Sequence, residues 1–319
     1  MAHTLGYHRR VMNNKEDEAA CHRTFWVIYL LEKCATFIYG MTSLISDHDV
    51  GCPIIPPQEE HLKDDFEKFV FSLRLGRIFS RAYESLFSVS ASLNSIDQYE
   101  LKIDAIKSEA ETWRRSIPAG YRPGSPFSGA RMAEGCLRLH YCYHALSIAL
   151  GRLDLYVGRK AAKTEAHGAR MRAAENELME SARAVARLTI CIDIRPHTPL
   201  WILASCPLSA MFVLFDMVIH KPSHPETEIN LALLDTVVGY FGRFDYATAG
   251  SIPCGLFSGF SHIANQFVRD QWQSVAPAAE ESELQSRTQA SQGIDFAIRC
   301  TYFACSLALF SLWRDFPEN

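Results

Sequence analysis

The chain has 319 residues, and 48% of them are hydrophobic, which is enough to bury a large core and excludes an intrinsically disordered chain. Its 32 basic and 36 acidic side chains give a formal net charge of −4, and no dense run of Lys and Arg provides the basic surface that binding to nucleic acid requires. We therefore predict that residues 1–319 form a single folded domain that does not bind DNA directly.

Ten cysteines are scattered along the chain, and no two of them are three residues apart. A zinc cluster needs paired Cys-x-x-Cys ligands around the metal, so no metal site is predicted. The cysteines are typical of small buried side chains in a reducing compartment, and we expect no disulfide. The N-terminus is polar and lacks the apolar core of a secretory signal, which predicts an intracellular protein, cytoplasmic or nuclear.

Apolar residues recur at intervals of three and four along most of the chain, which is the spacing of one helix face. The first predicted helix carries Trp26, Tyr29, Lys33 and Phe37, and Gly40 supplies its stop. Later helical patterns cover Tyr99–Trp113, Cys136–Leu153, the region 161–192, Leu200–His220, Asn230–Phe244, a segment from Ile252 to Val268, and Ile294–Trp313.

No alternation of apolar and polar residues is long enough to predict a sheet, so the predicted fold class is all-α. Residues 273–293 are rich in Ala, Ser, Glu and Gln, and we predict a flexible loop there. The run Leu200–Ile219 is long enough to cross a bilayer, but it contains Ser205 and Asp216. A core helix explains this run, and no membrane contact is predicted.

Several motifs follow one another in an order typical of one family. Arg23–Tyr29 carries Arg-x-Phe-Trp-x-x-Tyr and is followed by a glycine turn, the acidic pair of Asp47–Asp49 and the prolines of Pro53–Pro57. Leu139–His144 carries Leu-His-x-x-Tyr, and Trp201–Pro222 carries a Trp, a later Leu-Phe pair and a terminal His-x-Pro. This order resembles the middle regulatory region of fungal zinc-cluster transcription factors.

The resemblance implies a large all-α regulatory domain, with two departures from the family. The cysteine pairs of the DNA-binding zinc cluster are missing. The segment Ala2–Arg9, which resembles the family signature Leu-Gly-Leu-His-Arg, lies at the N-terminus. Relative to the family, the chain is therefore expected to be N-terminally truncated, either by a real loss or through an incomplete gene model.

Asp216 is the only formal charge in its apolar segment, and His220 follows one helical turn later on the same face. A carboxyl group held in an apolar wall has a raised pKa, so it can donate a proton near neutral pH that a neighbouring imidazole takes back. We treat both residues as candidate catalytic groups. The structural alternative is that Asp216 caps a helix or pairs with an Arg, while His220 lies at an exposed helix end.

His140 and His144 form a second pair four residues apart, flanked by Tyr141 and Tyr143. The spacing suits two metal ligands, but no third ligand with its own spacing follows, and metal binding is not predicted. We treat the two histidines as candidate catalytic groups that line an interior cavity. The alternative is that they hydrogen-bond between helices and maintain the fold.

Large aromatic side chains are candidates for the walls of a ligand pocket, namely Trp26, Tyr29, Tyr143 and Trp201. Because aromatic residues at helical spacing are normally core residues, simple packing is the alternative. Arg195 lies in a loop beside a helix end, where it either binds the polar end of a ligand or caps the helix.

Without a DNA-reading module a regulator has little to act with, so the main hypothesis is a cofactor-independent enzyme. Such an enzyme would cyclise or isomerise a secondary metabolite by acid–base catalysis. The alternative is a ligand-sensing transcriptional regulator of a fungal biosynthetic pathway that does not bind DNA. A third explanation is a fragment of a transcription factor.

Neither hypothesis needs a cofactor, because the sequence has no Gly-rich phosphate loop, nucleophile elbow or dinucleotide fingerprint. The predicted partner is a small apolar aromatic or terpenoid molecule. The apolar helix ending at Trp313 docks either in the core or against a second copy, which would give a homodimer.

Overall fold

Eight α-helices and no strand occur in the part of the chain that the structure describes, which confirms the predicted all-α fold class. The computed structural model describes residues 4–9, 18–57, 59–125, 132, 134–161, 164–196, 198–251 and 254–275. The helices are α1 (Glu18–Tyr39), α2 (Lys63–Ala82), α3 (Ile96–Ser116), α4 (Glu134–Gly158), α5 (Glu165–Leu188), α6 (Cys206–His220), α7 (Thr227–Ala247) and α8 (Ser258–Val275).

The chain divides into two compact units, Met1–Glu175 and Asn176–Asn319. In the first unit, α2 packs against α1, α3 and α4, and α3 packs against α4. In the second unit, α6, α7 and α8 pack against one another. That the whole chain behaves as one domain stays a prediction. The predicted loop at 273–293 lies outside the described residues except where it overlaps the end of α8, and Ile294–Trp313 lies entirely outside them.

Helix α2 contacts every other helix among the first four, yet the spacing of apolar residues does not predict it. Its buried side includes Leu75, Ile78 and Phe79. Five basic residues interrupt the apolar pattern, and four of them, Lys63, Arg74, Arg77 and Arg81, are exposed. Arg81, for example, pairs with Glu109 of α3 at an exposed position.

The end of α1 is fixed by a glycine, as the sequence predicts. Gly40 has a φ of +66°, in the left-handed region that favours glycine. The Gly40 N–H donates to the carbonyl of Phe37 at 3.2 Å, and the Met41 N–H donates to the carbonyl of Thr36 at 2.7 Å. This pair of hydrogen bonds is a Schellman motif, which turns the chain at the helix end. The residues that follow, 41–53, are called segment 41–53 below.

Buried ionic groups connect the helices within each unit. In the first unit, the Asp154 carboxylate of α4 accepts hydrogen bonds from Lys107 of α3 at 3.0 Å and from Arg170 of α5 at 2.8 Å. In the second unit, the buried Arg183 guanidinium donates to Asn230 of α7 at 2.8 Å. Because a buried charge is costly unless it is paired, each of these contacts restricts how its helices pack.

Within the described residues, one stretch, Trp201–His220, is long and apolar enough to cross a membrane. It begins with a wide π turn, Trp201–Ser205, and continues as α6. Of its most apolar window, 72% is buried inside the protein. Core helices combine the same length, hydropathy and burial, so these properties do not by themselves indicate a membrane span.

Candidate functional site

Asp216 and His220 contact each other, but on an exposed face of α6. The His220 Nδ1 atom lies 3.2 Å from the Asp216 Oδ1 atom and 2.8 Å from the Asp216 carbonyl oxygen. The Asp216 side chain is 41% exposed. Among the described residues, Asp216 is therefore not enclosed by the apolar wall that the catalytic role requires.

His140 and His144 lie on the buried side of α4 in the first unit. Burial lowers the pKa of His140 to about 4, although a hydrogen bond to the Tyr121 backbone partly opposes this effect. Burial also lowers the pKa of His144 to about 3, and repulsion from His140 and Arg114 acts in the same direction. Both imidazoles are neutral at pH 7, and neither ring nitrogen of His144 has a hydrogen-bond partner among the described residues.

The rings around His144 pack as core side chains. Tyr143 stacks on Trp113 with ring centroids 6.0 Å apart, and it meets the His144 ring edge-on at 5.2 Å. Trp201 is buried in the second unit, and Arg195 pairs with Asp193 at 2.6 Å on an exposed loop. The positions of Tyr143 and Trp201 agree with simple packing, whereas the ion pair of Arg195 is neither of the roles predicted for it.

Trp26 and Tyr29 hold segment 41–53 onto α1. The Trp26 Nε1–H donates to the Pro53 carbonyl at 3.0 Å, and the Tyr29 hydroxyl donates to Asp47 Oδ1 at 2.7 Å. Burial, and then the hydrogen bond to Asp47, raise the pKa of Tyr29 above its usual range. Both rings are buried, and their polar atoms hold the segment against α1.

Lys33 is the buried cation in this arrangement, and its side chain is only 3% exposed. Its ammonium group donates to Ser43 Oγ at 2.8 Å and to the Ile45 carbonyl, and it lies 3.5 Å from Asp47 Oδ1. The two hydrogen bonds and the ion pair of Lys33 therefore all go to the segment. The sequence signal for this role is a lysine on a helix face that is otherwise apolar.

Glu32, the neighbour of Lys33, holds the same stretch from the other side. Its carboxylate accepts a hydrogen bond from the Leu44 N–H at 2.6 Å and another from the Ser43 hydroxyl at 3.0 Å. Segment 41–53 is thus fixed by backbone and side-chain bonds along the length of α1. It runs back toward the start of the helix, from Lys33 past Tyr29 to Trp26.

A cavity of about 230 Å³ lies between the end of α1, the first residues of segment 41–53 and the end of α2. Its aromatic wall is the stacked pair Phe37 and Phe79, with centroids 4.4 Å apart and planes 4° apart. The hydroxyl groups of Thr42 and Tyr83 bond to each other at 2.9 Å. Ser80 also lines the cavity. No residue that the sequence patterns favour as a ligand contact lines it, and Phe79 and Ser80 of its wall belong to α2, which those patterns do not predict.

Ser80 is the unusual polar group of this cavity. Its residue is 7% exposed, and its hydroxyl oxygen has no hydrogen-bond partner in the described part of the chain. Buried hydroxyl groups are normally paired, because leaving one unpaired costs about 1 to 3 kcal/mol. The hydroxyl oxygen itself is enclosed, with less than 1 Å² of accessible surface. We take this cavity as the candidate functional site because it has an aromatic wall and lies beside the residues of the family motif.

Replacing Lys33 with Met tests whether the buried ammonium holds segment 41–53. Lys33→Met leaves the Asp47 carboxylate, the Ile45 carbonyl and Ser43 without their cation, so the free energy of unfolding should fall by about 3 kcal/mol. Lys63→Met is the matched control, because Lys63 pairs with Glu60 at an exposed position. It should change the free energy of unfolding by less than about 1 kcal/mol. Equal effects of both substitutions in urea titrations would contradict the role of Lys33.

Replacing His144 with Leu tests the buried neutral histidine. Since the pKa of His144 is about 3 in the folded state and 6.5 ordinarily, the unfolded state binds more protons between these values. Stability is therefore full above pH 6.5 and falls as the pH is lowered, by about 1.4 kcal/mol per pH unit for this histidine. His144→Leu should remove that slope between pH 6 and 5, while stability at pH 7 stays equal or rises.

The measurement is urea unfolding at several pH values, and His61→Leu removes an exposed histidine as the control. An unchanged pH slope in His144→Leu would show that folding does not lower the pKa of His144, and a loss of stability at pH 7 would show that the neutral imidazole makes stabilising contacts. Either result would contradict the account of a buried histidine without partners.

Known proteins similar to this chain are regulators of transcription. Residues 1–115 match the family model of the fungal specific transcription factor domain. An ABC-transporter-regulating transcription factor of Aspergillus oryzae is 24% identical over 91% of this chain and 35% of its own length. A protein with the same description from Aspergillus fumigatus is 23% identical over 83% of this chain and 32% of its own length.

A more distant fungus provides a further relative. An uncharacterized transcriptional regulatory protein of Schizosaccharomyces pombe is 23% identical over 76% of this chain and 40% of its own length. The chain thus spans between 32% and 40% of the length of these relatives. No solved structure matches it. Transcription is regulated inside the cell, and the predicted intracellular location agrees with these relatives.

These matches overturn the main functional hypothesis. The family and the relatives are named for the regulation of transcription, so the prediction of a cofactor-free cyclase or isomerase in secondary metabolism is wrong, and the alternative, a regulator, fits better. Asp216, the residue assigned to donate the proton in that hypothesis, has a side chain that is 41% exposed. The resemblance found in the motifs is confirmed, because residues 1–115 match the model of the fungal specific transcription factor domain.

Proposed function

We propose that the chain acts in the control of fungal transcription as a helical regulatory domain that senses a small molecule. The proposal rests on two findings that agree. Residues 1–115 match the fungal specific transcription factor domain, and relatives named as transcriptional regulators match 76% to 91% of the chain. The proposed place of action is the nucleus. The cavity between α1, segment 41–53 and α2 gives the small molecule a place to bind.

The regulatory signal is proposed to pass through protein contacts. The 319 residues carry a net charge of −4 and no dense basic run, so the proposal assigns DNA reading to no part of them. A ligand shifts a conformational equilibrium only if it binds one state more tightly than the other. Segment 41–53 forms part of the site, so a ligand would bind the state in which the segment lies on α1 more tightly than a state in which it has left α1.

Two relatives are named as regulators of ABC transporters, and we extend that role to this chain as part of the proposal. ABC transporters move small molecules across membranes. A small molecule is therefore a suitable signal for the regulator of their genes, and the proposed cavity has the size for one.

A tethering assay tests the regulatory function directly. The full chain, fused to an unrelated DNA-binding domain in a fungal host, should change transcription of a reporter that carries the matching binding site. Lys33→Met should weaken this effect, because it releases segment 41–53, whereas Lys63→Met should retain it. The readout is reporter transcript relative to the DNA-binding domain alone. Reporter transcription equal to that baseline, with the fusion present at normal abundance, would contradict the proposed function.

A further inference from the structure

We infer that Ser125 and Thr198 are phosphorylation sites of one class of protein kinase, which reads an arginine three residues before the hydroxyl group and a proline directly after it. One site lies in each of the two compact units. The regulatory meaning of the two sites rests on the proposed function, whereas the phosphorylation itself depends only on the two loops.

Both sites lie in copies of one five-residue motif, Arg-Pro-x-(Ser/Thr)-Pro. The copies are Arg122–Pro126 and Arg195–Pro199. The chain has 14 prolines, but Ser125 is its only serine and Thr198 its only threonine that precedes a proline. No arginine outside the two copies precedes a proline either. Every Arg-Pro pair and every Ser-Pro or Thr-Pro pair of the sequence therefore falls within the motif.

The two copies form the same backbone hydrogen bond. The Ser125 N–H donates to the Arg122 carbonyl at 3.1 Å, and the Thr198 N–H donates to the Arg195 carbonyl at 3.0 Å. In the first copy, Gly124 follows a proline and has a φ of +82°, which is typical of the third residue of a type II turn. The copies thus agree in hydrogen bonding as well as in sequence. Residues 126 and 197 lie outside the described residues and enter only through the sequence.

A kinase can reach both hydroxyl groups. Ser125 and Thr198 are partly exposed, and the neighbouring Gly124 and Arg195 are exposed. The Thr198 hydroxyl donates to the Asp193 carbonyl at 3.1 Å in an exposed loop. Loops with few buried contacts open at low cost, so either motif can extend into the active site of a kinase.

Proteins that bind polyproline helices are the alternative reader of the motif, because its two prolines are three residues apart. Such proteins recognise the prolines and do not need a hydroxyl group before the second proline. Both copies retain a hydroxyl group there, although the residue changes from serine to threonine. A polyproline helix also has no internal hydrogen bond, whereas each copy forms one. These observations favour a kinase.

The surroundings of Ser125 suit a negative charge. Arg114 and Arg115, at the end of α3, share one carboxylate, that of Glu111. Arg122 donates to two backbone carbonyls and has no acidic partner among the described residues. The Arg114 guanidinium also reaches the motif, since it donates to the carbonyl of the first proline at 3.1 Å. Arginines in such excess over carboxylates are the usual partners of a phosphate group.

Phosphorylation transfers the terminal phosphoryl group of ATP to the hydroxyl oxygen of Ser125 or Thr198. A bond forms between this oxygen and the γ-phosphorus, and the bond from the γ-phosphorus to the bridging oxygen of ADP breaks. ADP leaves, and the hydroxyl proton passes to a base of the kinase. Each site then carries a charge of about −1.5 to −2 at pH 7.

Incubation of the purified full chain with ATP and an extract of growing fungal cells tests the inference. Phosphopeptide mapping by mass spectrometry should find phosphate on Ser125 and on Thr198. Pro126→Ala should lower the phosphate on Ser125 about tenfold and leave Thr198 unchanged, and Pro199→Ala should do the reverse. Each motif is thereby the control for the other, and unchanged phosphorylation of the second site shows that the variant chain is folded and accessible to the kinase.

Ser116 is the matched control residue, because it follows Arg114 and Arg115 but precedes an isoleucine. It should remain without phosphate. Three results would overturn the inference: no phosphate on Ser125 or Thr198, equal phosphate on Ser116, or phosphate on Ser125 and Thr198 that the proline substitutions do not change. The first result would leave a polyproline-binding partner as the reader of the motif. Since the mapping does not use the reporter, it fails independently of the proposed function, which only an unaffected reporter contradicts.

Discussion

A single buried ammonium group determines the arrangement of the candidate site. Lys33 lies on α1 with its charge out of contact with water, and its partners Ser43, Ile45 and Asp47 all lie on segment 41–53. Because an unpaired buried charge costs several kcal/mol, the segment is stable only where these partners reach the ammonium. That position places Met41 and Leu44 opposite α2 and encloses the cavity. The fold of this region, the cavity and the proposed sensing function therefore all depend on the Lys33 side chain.

The motif residues that make the chain resemble its family serve this same arrangement. Trp26 and Tyr29 come from the Arg-x-Phe-Trp-x-x-Tyr motif, and they donate hydrogen bonds to Pro53 and Asp47, which come from the proline and acidic parts of the same string. The helix motif, the turn and the proline segment look separate in the sequence, but hydrogen bonds join them in the fold. The motif reports the fold of this region, and the cavity lined by Phe37, Phe79 and Ser80 lies beside it.

The sequence predicts those helices whose apolar residues recur at helical spacing and whose ends are marked by residues that stop a helix. Gly40 ends α1 as predicted, because only a left-handed residue completes that turn. Helix α2 escapes prediction because basic residues with long stems occupy its buried-to-exposed boundary. The contact of Asp216 with His220 follows from their spacing, but their exposure depends on tertiary packing that spacing does not contain. The cavity escapes prediction for the same reason, since Ser80 is unpaired only in the folded chain.

Hydrogen–deuterium exchange of the backbone amides in segment 41–53 tests most directly whether Lys33 holds the segment and thereby forms the site. The amides of Leu44, Gly51 and Cys52 donate to Glu32 and to the His8 carbonyl in the folded chain, and they should exchange slowly. The account predicts that in Lys33→Met they exchange fast while the amides of α7 are unaffected. Slow exchange of these amides in Lys33→Met would contradict it.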